Sequence, residues 1–479
     1  MIMASTALAI VAAIVLGTIV FALVSVRRYG TEPQEFIVGS RSFGAVLAWM
    51  LLAGEIFTSF TFLGAAGWAY GKGAPALYIL VYGVLAFTIG YFYLPQIWRI
   101  GKARGLMTWP DFFADRYGSK ALAGIVAILQ FAITVPYVTL QLTGLQILLT
   151  IAGYGRFNAT VAVAIAFMLI ALFVFTTGLR GTAWASIVKD AILLVAALFA
   201  GLYLPIHFFG SPAGMLAQLL RVHPHWLTLS PGAAPFGVNW YMTTVALGGI
   251  GFFMGVANAP AIFSAKSEET VRRNMILMPM YSVVIVLVMF AGWTALLIVP
   301  GLKGPAADQS FLLVVQRYFP AWVLGIVAGA GCLAALLPAS ALLLGAASVV
   351  SRNILGHTRW VRPLVLVCAA FALILWLIAK TTLVDLLLFY YNCITQLAPG
   401  VMLGLAWKRV NVWAVAAGLA AGELVAAYTL HASSGPWGVN MGFVALCANV
   451  FICVLVTLSG VILSGARLRA QSKDAPVSS

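Results

Sequence analysis

Thirteen apolar stretches, each about as long as a bilayer is thick, fix what this chain can become. A hydrocarbon core of ~30 Å takes ~20 helical residues. The stretches at about 5–26, 43–71, 74–98, 119–152, 159–178, 181–206, 240–266, 272–300, 321–352, 360–380, 382–407, 411–430 and 439–464, numbered here as runs 1 to 13, meet that length. Lipid offers no hydrogen-bond partners, so each run is expected to satisfy its own backbone as helix. Only 8% of the residues are charged, against about 25% in a soluble domain. The expected fold class is therefore an all-α polytopic membrane protein with 13 transmembrane helices.

The placement of charge gives an orientation. The net charge of +15 does not gather into one basic face, so nucleic acid is not an expected partner. Of the 27 Lys and Arg residues, twenty fall in one set of alternate loops, among them Arg27, Arg28, Arg41, Arg180, Arg352 and Arg359. Six (Lys72, Arg156, Arg221, Lys303, Arg317 and Lys380) fall in the other set, and Lys189 lies within run 6. The positive-inside rule then puts the N-terminus outside and the C-terminus inside the cell's inner (plasma) membrane. Run 1 lacks a basic leader and is followed by Arg27-Arg28, so it reads as an extra helix and not as a cleavable signal. The five cysteines lie in apolar runs and the histidines form no metal motif, so no cofactor or structural metal is expected. The polar tail, 465–479, carries no attached catalytic domain, and no obligate protein partner is evident. The 207–239 loop has room for a short interfacial helix.

Two runs interrupt their own helical pattern at mid-depth. Run 2 contains GEIFTSFTFLGAAG (Gly54–Gly67) and run 7 contains GGIGFFMGVANAPAIFSAKS (Gly248–Ser267). Irregular segments at corresponding places in two halves point to a transporter binding site; small residues that only allow close helix packing are the plainer alternative.

Several stretches in order resemble the sodium:solute symporter family. They are FIVGSRSFG and TFLGAAGWAYGKG around run 2, TWPDFFADRYGSKAL between runs 3 and 4, and Tyr137 and Gln141 in run 4. GLRGTAWASIV opens run 6, and CITQLAPGVMLGLAWKRVNVWAVAAGLAAG follows in run 11 and beyond, with Gln396, Pro399, Gly404 and Trp407. The match covers about 35–425 and looks closest to the monocarboxylate-permease-like branch, which shares GE in run 2, VKD in run 6 and RRN after run 7. The resemblance implies a LeuT-like 5+5 inverted repeat with extra helices and alternating access. Here that gives an extra helix at 5–26, repeats at 43–206 and 240–407, and two further helices within 411–464, in a single transporter domain. It also implies a sodium site between runs 2 and 9. Its main-chain ligands would be Gly54, Phe57 and Ala335, its hydroxyl ligands would fall at Pro338 and Ala339, and a nearby acidic position falls at Ser186. None of the last three offers the oxygen the family expects of it, which makes Na+ doubtful, because a hard cation wants oxygen ligands. Ser340 could stand in if the helix re-registers around Pro338.

Lys189 offers another cation. Nine residues beyond Arg180 put it ~13 Å deep, and its stem adds ~6 Å. Ala339 lies ~19 Å from Arg352 and Glu55 ~21 Å from Arg41 along their helices. Lys189 can therefore reach the depth of the altered site and face Glu55. An intramembrane ionisable group is a functional candidate, and a buried lysine that gains and loses a proton would couple transport to H+. Pairing with neighbouring Asp190 is the structural alternative.

Polar candidates for the substrate cavity are Thr58, Ser59, Thr61, Tyr137, Gln141, Asn258, Asn392 and Gln396, with Phe57, Tyr241, Phe253, Tyr390 and Tyr391 as possible aromatic lining. Half-helix N-termini suit a carboxylate. The expected activity is symport of a small organic acid, first a monocarboxylate, with H+ through Lys189 or with Na+. The alternatives are a conventional Na+ symporter for an amino acid or vitamin-like acid, and a non-transporting membrane sensor. An enzyme would want a cluster of His, Asp or Ser that the chain lacks.

Overall fold

The computed structural model describes residues 2–29, 32–156, 158–378, 382–428 and 435–473, without the side chains of Pro33, Glu55 and 461–473. Every run is mainly helical over its described residues. Among those residues nine helices are long and apolar enough to cross a membrane, and one bent pair, Val238–Met254 with Asn258–Ser264, makes a tenth. The apolar helices Ala45–Gly54 and Val412–Tyr428 are shorter. Runs 5 and 6 form one stretch, Ala159–Phe209, whose 51 residues are over twice what one crossing needs. It is interrupted at Gly178 (φ 60°, ψ −164°), a backbone conformation open in practice only to glycine. The 207–239 loop holds a helix, Pro212–Val222, that buries Met215 and Leu219.

Run 9 (Ala321–Asn353) is the most enclosed of the helices. Its small residues explain why neighbours can come so close. A β-carbon on Gly325 would meet Ile10 and Ala7 of run 1, one on Gly331 would meet Leu148 of run 4 and Phe62 of run 2, and one on Gly345 would meet the backbone of Val256 in run 7.

Runs 2 and 7 do break. Run 2 forms Ala45–Ile56, leaves the helix at Phe57 (φ −91°, ψ 87°), and resumes through a wide turn, Phe60–Gly64, into Ala65–Lys72. Side chains replace the lost backbone bonds, as membrane burial requires. The Thr58 amide donates to Thr61 Oγ1 (2.9 Å), the Phe60 amide donates to Thr58 Oγ1 (3.1 Å), and Thr61 Oγ1 bonds back to the Ile56 carbonyl (2.9 Å). Run 7 bends by 59° between Met254 and Asn258, and Asn258 Nδ2 donates to the Phe252 carbonyl (2.7 Å). The two broken runs are clipped together at one end: the Phe43 amide donates to the Ser264 carbonyl and the Lys266 amide to the Phe43 carbonyl, both at 2.9 Å.

Gly178→Ala forces a side chain into the glycine-only region and brings its β-carbon within 2.7 Å of the Phe36 ring. It should lower stability by about 1–3 kcal/mol, read as a lower thermal midpoint of the solubilised protein. Gly124→Ala, whose new methyl meets nothing within 4 Å, should leave the midpoint unchanged or slightly raised.

Candidate functional site

The break in run 2 leaves main-chain carbonyls without helical partners, and a lysine meets them. Lys189 is fully buried in run 6, and its Nζ donates to the Phe57 carbonyl (3.2 Å) and the Gly54 carbonyl (3.4 Å). The same ammonium lies 3.0 Å from Asp190 Oδ1, with Asp190 itself only 5% exposed. Contact with the carbonyls at the break and pairing with Asp190 thus occur together. Tyr281 of run 8 packs its ring on Phe57 (centroids 4.7 Å) and Trp49 (4.8 Å). Lysine and carboxylate therefore form one buried pair against the break.

The hydroxyls carried by runs 6 and 9 near this depth donate within their own helices. Ser186 Oγ donates to the carbonyl of Thr182 in its own helix (2.9 Å). Ala335, Pro338 and Ala339 are buried in a helix that runs unbroken through Pro338. The re-registration that would free Ser340 does not occur: its Oγ donates to the Leu336 carbonyl (2.7 Å), because a hydroxyl can bond one turn back within its own helix. The Glu55 side chain lies outside the described residues.

The substrate candidates separate into five places. Thr58 and Thr61 spend their hydroxyls on the break. Ser59 donates to Gln141 Oε1, which also accepts from the Ser59 amide (3.3 Å), so these two tie run 2 to run 4. Tyr137 and Asn258 line a small central space of about 10 Å³ with Tyr390, Tyr391 and Phe252, room for about one water. Tyr137 and Tyr390 rings are 4.7 Å apart, and Phe253 packs on Phe87. Asn392 reaches the wall of a larger cavity of about 620 Å³, which opens beside Lys72, Lys303 and Asp385. Gln396 turns away from both spaces. Its Nε2 donates to Asn392 and Gly442 carbonyls and its Oε1 accepts from Asn449 of run 13 (3.3 Å). Its position on run 11 gave no hint of this, since the partner lies 53 residues further on.

The opposite end of the molecule is held shut by charge. Arg352 at the end of run 9 bonds both oxygens of Asp111 (2.8 and 3.0 Å), which also accepts from Asn353 (2.6 Å) and the Met107 amide (2.8 Å). Arg180 bonds Glu35, the Gly39 carbonyl (3.0 Å) and Ser42 (2.6 Å). Burial alone would push the Glu35 carboxyl up, but Arg180 holds it below the usual range. The sequence patterns did not single out Tyr281, Asp111 or the buried Asp308.

Comparison with known proteins agrees with this architecture. The sequence profile of the Sodium:solute symporter family matches residues 36–422. The chain is 36% identical to the uncharacterized symporter YhjB of Bacillus subtilis (strain 168), over 89% of this chain and 91% of that one. It is 27% identical to a monocarboxylate transport permease protein of Rhizobium johnstonii, over 88% of this chain and 90% of the relative. A solved Na+-coupled sialic acid symporter, in a substrate-bound outward-open state, superposes with a TM-score of 0.76 at 14% identity, covering 95% of this chain and 96% of that one. It shows the shared LeuT-like fold.

Asp190→Asn leaves the Lys189 ammonium buried with carbonyls alone. It should cost about 3–5 kcal/mol, the usual consequence of removing one partner of a buried pair. The double variant Lys189→Met/Asp190→Asn should recover most of that loss. Thermal unfolding of the three proteins in one detergent reads the difference.

Proposed function

Because the chain belongs to the sodium:solute symporter family, a multi-pass plasma-membrane symporter and not an enzyme, we propose that it imports a small monocarboxylate together with H+. The observation that carries this reading is the Lys189 ammonium on the carbonyls of Gly54 and Phe57. The positions that would complete a sodium site, Pro338 and Ala339, have no side-chain oxygen, and the helix that carries Ser340 runs through Pro338 without re-registering. A fixed cation at the break leaves the proton as the exchangeable ion. Opening of the site to each side in turn would bring this group into contact with water on that side, with which a proton can exchange.

Runs 2–6 and 7–11 would be the inverted halves, 43–206 and 240–407, with run 1 and runs 12 and 13 outside them. The charge bias of the loops puts the 620 Å³ cavity on the outer side and the Arg352–Asp111 and Arg180–Glu35 ties on the inner side. Substrate would enter from that cavity toward Tyr137, Asn258 and the half-helix ends of runs 2 and 7, whose partial positive charge suits a carboxylate. The scarcity of charged groups there favours a small acid over a sugar or dicarboxylate, and a monocarboxylate transport permease is among the relatives.

Uptake of a radiolabelled short monocarboxylate into proteoliposomes tests this. A pH gradient, inside alkaline and without sodium, should drive accumulation in the wild type, and Lys189→Ala should reduce it to background. Uptake that requires a sodium gradient and persists in Lys189→Ala would overturn proton coupling.

A further inference from the structure

A second buried carboxylate sits far from Lys189, at the wall of the large cavity. Asp308 belongs to a short helical segment, Gly304–Gln309, in the loop between runs 8 and 9, and is 2% exposed. It is pressed against the outer half of run 2 so closely that only glycine fits opposite. A β-carbon on Gly67 would stand 2.4 Å from Asp308 Oδ1 and 2.9 Å from its main chain. Its other oxygen, Oδ2, accepts from the amide of Leu383 (3.0 Å), the first residue of the run 11 helix Leu383–Ile394. One side chain thus joins the loop, the outer half of run 2 and the start of run 11.

The charges around it are few. Asp385 of run 11, Lys72 of run 2 and Lys303 of its own loop share the cavity wall with it. Tyr70 of run 2 uses its hydroxyl on the Val299 carbonyl and the Leu302 amide (both 2.9 Å). The Phe60–Gly64 turn has no titratable residue, and Arg317 and Tyr318 stand at the far end of the following helix, Ser310–Tyr318. No ion pair between Asp308 and a Lys or Arg is present among the described residues. A carboxylate enclosed in this way, with one N–H donor and a like charge nearby, favours its neutral form while the loop is seated.

We propose that Asp308 is a positioning residue of the outer gate, a latch whose protonation seats the 304–309 segment on runs 2 and 11, so that closing the loop takes up a proton from the cavity side. Burial, with the Asp385 charge adding and the Leu383 amide opposing, pushes its carboxyl up to about 7, whereas a solvated aspartate titrates at ~3.9. The direction follows from linkage. The seated loop binds the proton more tightly, so its advantage is complete below ~4 and is lost as pH rises through about 7. This latch is independent of the Lys189 reading, because it needs neither sodium nor substrate.

Hydrogen–deuterium exchange of the full-length protein in sodium-free nanodiscs tests it, with rates corrected for their intrinsic pH dependence. Protection of residues 300–318 and of the first turn of run 11, which contains the Leu383 amide, should rise about tenfold for each unit the pH falls between about 7 and 5. Asp308→Asn should make that protection independent of pH. Asp385→Asn should move the wild-type midpoint to lower pH, and Lys189→Ala should leave it in place. A wild-type profile without pH dependence, a pH response that survives in Asp308→Asn, or an unmoved midpoint in Asp385→Asn would each overturn the proposal. So would a response lost in Lys189→Ala.

Discussion

In lipid every main-chain polar group must find its partner inside the protein, and the two broken runs exist only because they do. At run 2 the substitutes are Thr58, Thr61 and a lysine from run 6; at run 7 the substitute is Asn258. The rest of the architecture serves these two places. Run 9 is built of small residues so that runs 1, 2, 4 and 7 can approach it. The Phe43–Ala265 pairing fixes the ends of the broken runs to each other. A helix that ran straight through Phe57 would need no cation, and the polar centre would vanish.

The ties at the two ends of the molecule differ in kind. At the arginine-rich end, Arg352, Arg180 and Arg116 bond carboxylates and helix-terminal carbonyls at close range; Arg116 reaches the Gly404 carbonyl at 2.7 Å. Such fork-shaped donors hold geometry as well as charge. At the cavity end the contacts are weaker, made by one acid, an amide and aromatic rings around Trp68 and Trp240. The asymmetry gives a molecule tied by charge at one end and hollowed by a cavity at the other.

The apolar runs, the breaks of runs 2 and 7 and the depth of Lys189 were legible in the sequence because length, glycine and hydroxyl residues, and helical rise determine them. Helix rotation was not. Runs that are apolar almost all round carry no moment to say which face turns inward. Gln396 was therefore expected in the cavity, yet it bonds Asn449 of run 13. Ser340 could be placed at the right depth, but whether its hydroxyl was free depended on the helix passing Pro338 intact. Asp190 appeared as a rival explanation for Lys189, whereas the carboxylate and the carbonyls surround one ammonium. Asp308 was invisible because its partners, Gly67 and Leu383, belong to other runs and only the assembled loop brings them together.

A dissolved ion occupies its ligands according to its abundance in the bath and must be recaptured after every cycle. The ammonium on the Gly54 and Phe57 carbonyls is carried by the chain itself. Its local concentration is set by a four-carbon tether and not by the medium, so it stays beside these carbonyls in fresh water and in brine alike.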